Sequence, residues 1–325
     1  MKTLLFLTKW NKSLNTLIYR FYVFLNIGSK NSQAEIFKHL QGFYPIDTRF
    51  VVLSMDMEFM NAGKVEQKFT EQLDELAAIK TEKKELIHPF IFVHPKRKNI
   101  FALVRKYIED HHFAGIKLYP PLGYYPFDER LDEIYEYAEK KQIPIISHCS
   151  RTGVFDKSPI TKEMRTHPKT GERNNSCFKS AFTDIYTDPE NYEYVLEKYP
   201  GLKICLAHFG GGSEWEKYLK GSFDHRLADD NWFSLIKNMI EKYENVYADI
   251  SYTMHNDKFL PLLKLILQDS EKVRSRILYG SDFYMVELEL SERQFSIYLR
   301  TYLGEEYYKI ISEKNPNTFL KSKIC

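Results

Sequence analysis

Three polar residues stand at the ends of three apolar runs, and together their side chains could support one reaction. His148 follows the run Ile143–Ser147 in IPIISHCS, and His208 follows Leu202–Ala207 in LKICLAHFGGG. Asp282 lies just past Arg276–Gly280 in RILYGSDF. Two imidazoles and a carboxylate form the ligand set of a catalytic zinc-type site that keeps one position open for water. A single histidine says little in a chain with His 10. What counts is that the three residues occur in phase, each where a buried strand should end.

The elements that would position them can be read from the same sequence. Seven short runs are apolar on both faces: Arg49–Met55, Ile87–Val93, Phe113–Leu118, Ile143–Ser147, Leu202–Ala207, Asn245–Ile250 and Arg276–Gly280. That pattern suits buried parallel strands. Amphipathic helical stretches separate them. Leu131, Ile134, Tyr135 and Ala138 form one stripe after Asp128, and Tyr192, Val195 and Leu196 form another after the Asp188-Pro189 start signal. Phe259, Leu262, Leu263 and Ile266 mark a third. Repeated βα units give a parallel sheet.

The polar residues at the run ends, Asp56, His94, Lys117, His148, His208, Asp249 and Asp282, recur about every 38 residues, against roughly 31 per unit in a (β/α)₈ barrel. The excess lies mostly in one long segment, 149–188, which reads as a substrate-covering insertion in preference to a linker. A doubly wound sheet is the alternative, but no G-x-G-x-x-G or P-loop string is present. The expected fold is therefore an α/β (β/α)₈ TIM-like barrel, in which strand C-termini converge at one mouth.

Composition narrows the function classes. The chain has 325 residues, 43% hydrophobic and 28% charged, with Tyr 23 and Phe 23, which is material for a large core. A formal net charge of +2 argues against a nucleic-acid binder. Four cysteines in a chain this long predict reduced thiols and a cytoplasmic location. At the N-terminus, Leu4–Leu7 starts like a signal peptide, but Thr8 and Lys9 cut the apolar run short. Leu14, Leu17, Ile18, Phe21 and Leu25 then recur at helical spacing. Residues 1–30 read as an amphipathic helical segment packed on the body, with a membrane-surface helix over residues 1–25 as the alternative. Residues 31–325 read as the barrel domain.

The strings GIKLYPPLGY, PIISHCS, LAHFGGG, NVYADISY and YGSDFYM resemble the amidohydrolase superfamily, specifically its amidohydrolase-related branch of metal-dependent TIM-barrel hydrolases. The resemblance runs from about residue 31 to residue 320. It implies that His148 binds a metal and that His208 binds a second metal or contacts the substrate. It further implies that Asp282 binds the metal and shuttles a proton for the attacking water. Lys117 stands where some members carry a carboxylated lysine that bridges two metals. The implied cofactor is a divalent metal, zinc first and manganese second, and the implied partner is a small-molecule substrate. Decarboxylases and lyases share the scaffold, and a homo-oligomer is left open.

One departure stands out. The superfamily opens with a His-x-His pair after its first strand, and this sequence contains none. His39 lies in a helix-like segment, His111-His112 precede a strand, and His88 and His94 bracket one. Residues 1 to about 48 thus read as a first helical layer whose strand is missing or replaced. Two or three protein ligands would hold a metal weakly. The barrel should have a gap at its first strand, for which the apolar stretch Leu4–Leu25 is the candidate cover. The competing expectation is a barrel with impaired catalysis and a binding or structural role.

The remaining residues have plainer alternatives. Asp56 caps a turn or lines the pocket, and Asp249 is a structural acceptor or a site residue. Gly210, Gly211 and Gly212 form a turn into a helix or an anion nest. Arg151 and Arg173 are solvent-exposed or grip a substrate carboxylate. Cys149 sits next to His148, but strand alternation turns it away, so it is not expected to be a nucleophile.

Overall fold

The computed structural model describes residues 12–151, 153–221, 231–283 and 285–323. All seven expected strands are present: β1 (Phe50–Leu53), β2 (Ile87–Val93), β3 (Gly115–Leu118), β4 (Ile145–Ser150), β5 (Ile204–Gly210), β6 (Val246–Asp249) and β7 (Ile277–Leu278). They form one sheet in sequence order, and every neighbouring pair is parallel. Among the described residues no ladder joins β7 back to β1. The result is a curled, incomplete (β/α) TIM-like barrel.

The helical stripes pack as their spacing requires. Leu131, Ile134, Tyr135 and Ala138 are buried, as are Tyr192, Val195, Leu196, Phe259, Leu262, Leu263 and Ile266. The 128 region differs in detail from expectation. Asp128 caps a short 3-10 turn, Glu129–Leu131, by accepting from the Arg130 amide at 3.1 Å, and the α-helix Asp132–Lys141 follows. Most buried apolar residues lie between the sheet and its helices, whereas Phe90, Ile146, Cys205, Ala207, Tyr247, Leu278 and Phe319 form a second, smaller cluster.

That smaller cluster is explained by the two-residue period of a strand. Ile146 and His148 share a face, as do Cys205 and Ala207, and Tyr247 and Asp249. Along each strand this face therefore changes from apolar to polar towards the C-terminal end. Gly115 is required here, because a Cβ would lie 2.4 Å from the Phe90 ring and 2.5 Å from the Pro144 carbonyl oxygen.

The opening between β1 and β7 is bridged by side chains. Helix α1 (Lys12–Gly28) packs against the turn Val286–Leu288, and Arg20 reaches Glu287 at 3.4 Å. Helix α2 (Gln33–Gln41) starts at Ser32, whose hydroxyl accepts from the Glu35 amide at 3.2 Å. From the loop after α2, the Tyr44 hydroxyl meets the Tyr279 hydroxyl at 2.8 Å and donates to Glu292 at 2.5 Å. Arg49 bonds Asn317 at 2.7 Å. Of the expected cover Leu4–Leu25, residues 4–11 lie outside the described residues; its described part, in α1, reaches the turn at Glu287, and the later segment from Tyr44 to Arg49 adds the contacts to Tyr279, Glu292 and Asn317.

Candidate active site

His148 lies on β4 and His208 on β5, so both strands run through the residues expected just beyond their ends. Pleating accounts for His148, which shares a face with Ile146. By the same alternation His208 belongs on the opposite face from Cys205 and Ala207. A left-handed backbone at His208 (φ 67) and Phe209 (φ 48) redirects it. Its ring then stands edge-on to that of His148, with centroids 4.8 Å apart, and Nε2 of His208 faces Nδ1 of His148 at 3.1 Å. Non-glycine residues in this region are strained and cluster at functional sites. Asp282 (φ 61) and Tyr252 (φ 57), on adjoining loops, share the conformation.

The neighbours of His208 determine which of its nitrogens carries a proton. Its Nδ1 lies 3.1 Å from the Ser251 carbonyl oxygen, which can only accept, so Nδ1 carries the hydrogen and Nε2 the lone pair. The Ser251 hydroxyl, 3.0 Å from the same Nδ1, donates to Asp249 Oδ1. That carboxylate oxygen also accepts from the His208 amide at 2.9 Å and the Ser251 amide at 3.0 Å. Asp249 thus holds both the strained backbone of His208 and the serine that orients its ring. Facing that lone pair, His148 Nδ1 carries the hydrogen, and its Nε2 accepts from the Ser150 hydroxyl at 3.2 Å; were Nδ1 to bind an ion, the hydrogen would move to Nε2, where the hydroxyl can accept it.

Lys117 is buried on β3, and burial lowers its pKa, while the nearby charges of Asp249 and Asp282 oppose that shift. Asp282 is solvent-accessible yet crowded by protein. The crowding raises its carboxyl above the ordinary value, and His208 and Lys117 pull it back down; its access to solvent limits the rise. Asp282 therefore lies within reach of the charges of His208 and Lys117. The Tyr119 ring packs on His148 at 4.5 Å, and its hydroxyl accepts from the Val154 amide at 3.0 Å. Gly153 makes that approach feasible: a Cβ there would lie 2.5 Å from the Tyr119 hydroxyl and 3.3 Å from His148 Nε2. The long segment after β4 therefore begins directly over the histidine pair.

These donors bear on whether a metal would fit. Two nitrogens on one ion, with bonds of 2.0–2.1 Å, stand about 2.9–3.4 Å apart. The 3.1 Å between the facing imidazole nitrogens matches that separation. Ring nitrogens turned away from an ion usually bond to a carbonyl or hydroxyl, as Ser251 and Ser150 allow here. The pair fits a divalent ion as two ligands, with Asp282 the nearby carboxylate. Among the described residues, no three His, Cys, Asp or Glu side chains already group around one point.

The plainer alternatives resolve individually. Asp56 caps the 3-10 turn Met57–Met60 and pairs with Arg97. Asp249 is the acceptor described above. Gly212 opens the helix Gly212–Gly221, and Gly211 accepts from the Glu214 and Trp215 amides. Arg173 is exposed. Arg151 fits neither of its expectations: it is half-buried, bonded to Glu214 at 2.7 Å, 3.4 Å from Asp184, and stacked 4.2 Å over the Trp232 ring. Cys149 is buried and donates to the Thr187 carbonyl, and burial pushes its thiol pKa well up, so it is not an activated nucleophile. Ser150 and Ser251 were not recognisable in the sequence as site residues. Their only signal was a hydroxyl two residues after His148 and another two residues after Asp249.

Comparison with known proteins agrees with this architecture. The family described as amidohydrolase matches residues 38–318. No curated protein matches the chain. An uncharacterized TIM-barrel protein from Bordetella bronchiseptica superposes with TM-score 0.57 at 15% identity, covering 93% of this chain and 89% of the other. A putative amidohydrolase from Staphylococcus aureus gives TM-score 0.56 at 18% identity, covering 90% and 92%. A dihydroxybenzoic acid decarboxylase from Polaromonas sp. JS666, solved with bound manganese and the inhibitor 2-nitroresorcinol, gives 0.54 at 16%, covering 89% and 86%. At these identities the structural likeness is one of fold.

Proposed function

The chain belongs to the amidohydrolase family, a family of enzymes, and on that premise we propose that it is a metal-dependent hydrolase cleaving a C–N or C–O bond of a small molecule. The observation that carries the reading is the facing pair of imidazole nitrogens at 3.1 Å, with Asp282 within reach of the same charges. His148, His208 and Asp282 would hold a divalent ion, zinc or manganese, with Lys117 buried nearby. When bound, such an ion lowers the pKa of a water and polarises the bond to be attacked.

The chain's own residues supply the remaining steps. Asp282 takes the proton of the attacking water and returns it to the leaving group. The charge of Lys117 favours the ionised carboxylate that this role needs. His208 keeps its Nδ1 hydrogen on Ser251, so only the Nε2 lone pair is offered to the site, where it would serve as a ligand of the ion. The Tyr119 ring packs on His148, and Gly153 and Val154 of the following segment hold the Tyr119 hydroxyl there.

A second reading, a barrel that binds but no longer catalyses, draws on the lack of three grouped donors among the described residues. Metal titration together with turnover of an amide, ester and lactone panel separates the two. The enzyme reading expects saturable zinc or manganese uptake and turnover, both abolished by His148→Ala. No uptake at micromolar free metal and no turnover would leave the binding reading.

A further inference from the structure

The carboxylate of Asp282 is placed by its backbone. Unlike that of Asp249, it is hydrogen-bonded by no group among the described residues, and it is open to solvent. Its backbone is left-handed (φ 61), a conformation that persists only where the surroundings over-determine it. The Asp282 carbonyl accepts from the Met285 and Val286 amides at 3.1 and 3.2 Å, which leads the chain into the turn Val286–Leu288. That turn packs on α1, where Arg20 reaches the buried Glu287. Phe283, the residue next to Asp282, packs its ring against the end of α2 and the residues just after it. Its centroid lies 6.2 Å from that of His39 and 6.2 Å from that of Phe43, and those two rings stand edge-on to each other at 5.2 Å.

Two segments clasp this loop, and they hold it at different points. After β6, the Tyr252 amide donates to the Ser281 carbonyl at 3.1 Å and the Tyr252 hydroxyl to Glu289 at 3.2 Å. Between those points, His39 and Phe43 meet the residue adjoining Asp282. Neither Phe43 nor Phe283 belongs to the two apolar clusters of the core, and Phe43 is only half-buried, so this ring contact adds little to the packing of the sheet. We infer that Phe43, with His39 beside it, is a positioning residue: through the Phe283 ring it fixes the strained turn at Asp282, and so the direction in which the carboxylate is offered to the ion, a role that rests on the metal-dependent reading of the site. Without that contact the backbone at Asp282 can relax to an ordinary region of φ and ψ, which re-aims its Cβ. The segment that lies across the opening between β1 and β7 thereby also reaches the site.

The test uses the full chain, first without metal. Hydrogen exchange read by mass spectrometry should show the chain from Ser281 to Leu288 exchanging about tenfold faster in Phe43→Ala than in wild type, with β4 and β5 unchanged. Manganese titration followed by electron paramagnetic resonance should then show Phe43→Ala binding about tenfold more weakly, as for other groups that orient a metal ligand. His148→Ala should abolish the uptake, which places it at the histidine pair. Phe283→Ala should match Phe43→Ala, and the double variant should bind no more weakly than either, because both act through one contact. His39→Ala removes the second ring and should give a smaller effect of the same kind, so the test does not hang on one variant. Unchanged exchange around Phe283, a manganese affinity equal to that of wild type, or additive losses in the double variant would each overturn the inference. A wild-type chain that takes up no manganese sinks the hydrolase reading instead, while the exchange measurement still decides what holds the Asp282 turn.

Discussion

Replacing Asp249 by alanine should cost much of the stability of this fold, and the size of the loss can be worked out from its partners. Asp249 Oδ1 accepts from the amides of His208 and Ser251 at 2.9 and 3.0 Å and from the Ser251 hydroxyl, while Oδ2 takes the Cys205 thiol at 3.6 Å. His208 Nδ1 already carries a hydrogen and cannot take that of the hydroxyl, and the two amides likewise lose their acceptor. Each buried donor left unpaired costs about 1–3 kcal/mol. The His208 and Phe209 carbonyls keep their bonds from Thr253, Gly211 and Trp215, so the left-handed turn would lose its amide acceptor but not its other holds. We expect Asp249→Ala to lose about 3–5 kcal/mol, a large share of the roughly 5–15 kcal/mol of a typical domain. Asp249→Asn keeps the accepting oxygen and should lose about half as much, on the order of 1–2 kcal/mol. Urea unfolding followed by circular dichroism measures both. An alanine variant within about 1 kcal/mol of wild type would show that the carboxylate is not what holds the His208 turn.

Two further predictions concern other parts of the rim. Tyr44→Phe removes the hydroxyl that joins Tyr279 and Glu292 across the opening between β1 and β7, and should cost about 1–3 kcal/mol in urea unfolding; a loss too small to measure would mean that the opening is held elsewhere. His94 is buried, stacks on Phe59, bonds the Leu122 carbonyl through Nε2 and accepts from the Lys96 amide through Nδ1, and burial pushes its pKa down to about 4. The unfolded chain takes up this proton first, so the contribution of His94 is full above about pH 6.5 and disappears as pH falls towards 4, by up to about 3 kcal/mol. His94→Gln should flatten that part of the stability–pH curve; an unchanged slope would place the titration elsewhere.

The parts of the fold that could be read from sequence are those set by local repetition. Runs apolar on both faces located all seven strands, even β7, whose ladder is only Ile277–Leu278. Helical stripes located the faces that pack against the sheet, because burial there follows the 3.6-residue period whatever the partner. The closure between β1 and β7 followed no period. It depends on Tyr44 meeting Tyr279, 235 residues away in sequence, and on Arg49 meeting Asn317. Arg151 was misjudged for the same reason, since its partners Glu214, Asp184 and Trp232 come from three distant segments.

The two histidines show where reading from sequence stops within the site itself. His148 follows from parity, since a residue two after the inward Ile146 must also point inward. His208 breaks parity: in a regular strand, the residue after Ala207 points away. It reaches His148 only because its backbone turns left-handed, a conformation that costs about 1–2 kcal/mol per residue. The sequence also places its stabiliser far away, as Asp249 on the next strand and Ser251 just beyond it. A strained turn held by a buried carboxylate is poorly explained by packing alone, because an unstrained strand end would pack as well. It is explained by the result: an imidazole whose Nδ1 hydrogen is fixed on Ser251, its Nε2 held 3.1 Å from a second imidazole whose far nitrogen meets Ser150. Two such nitrogens, without a His-x-His pair, would supply an ion with fewer protein ligands than the three or four of a tight site.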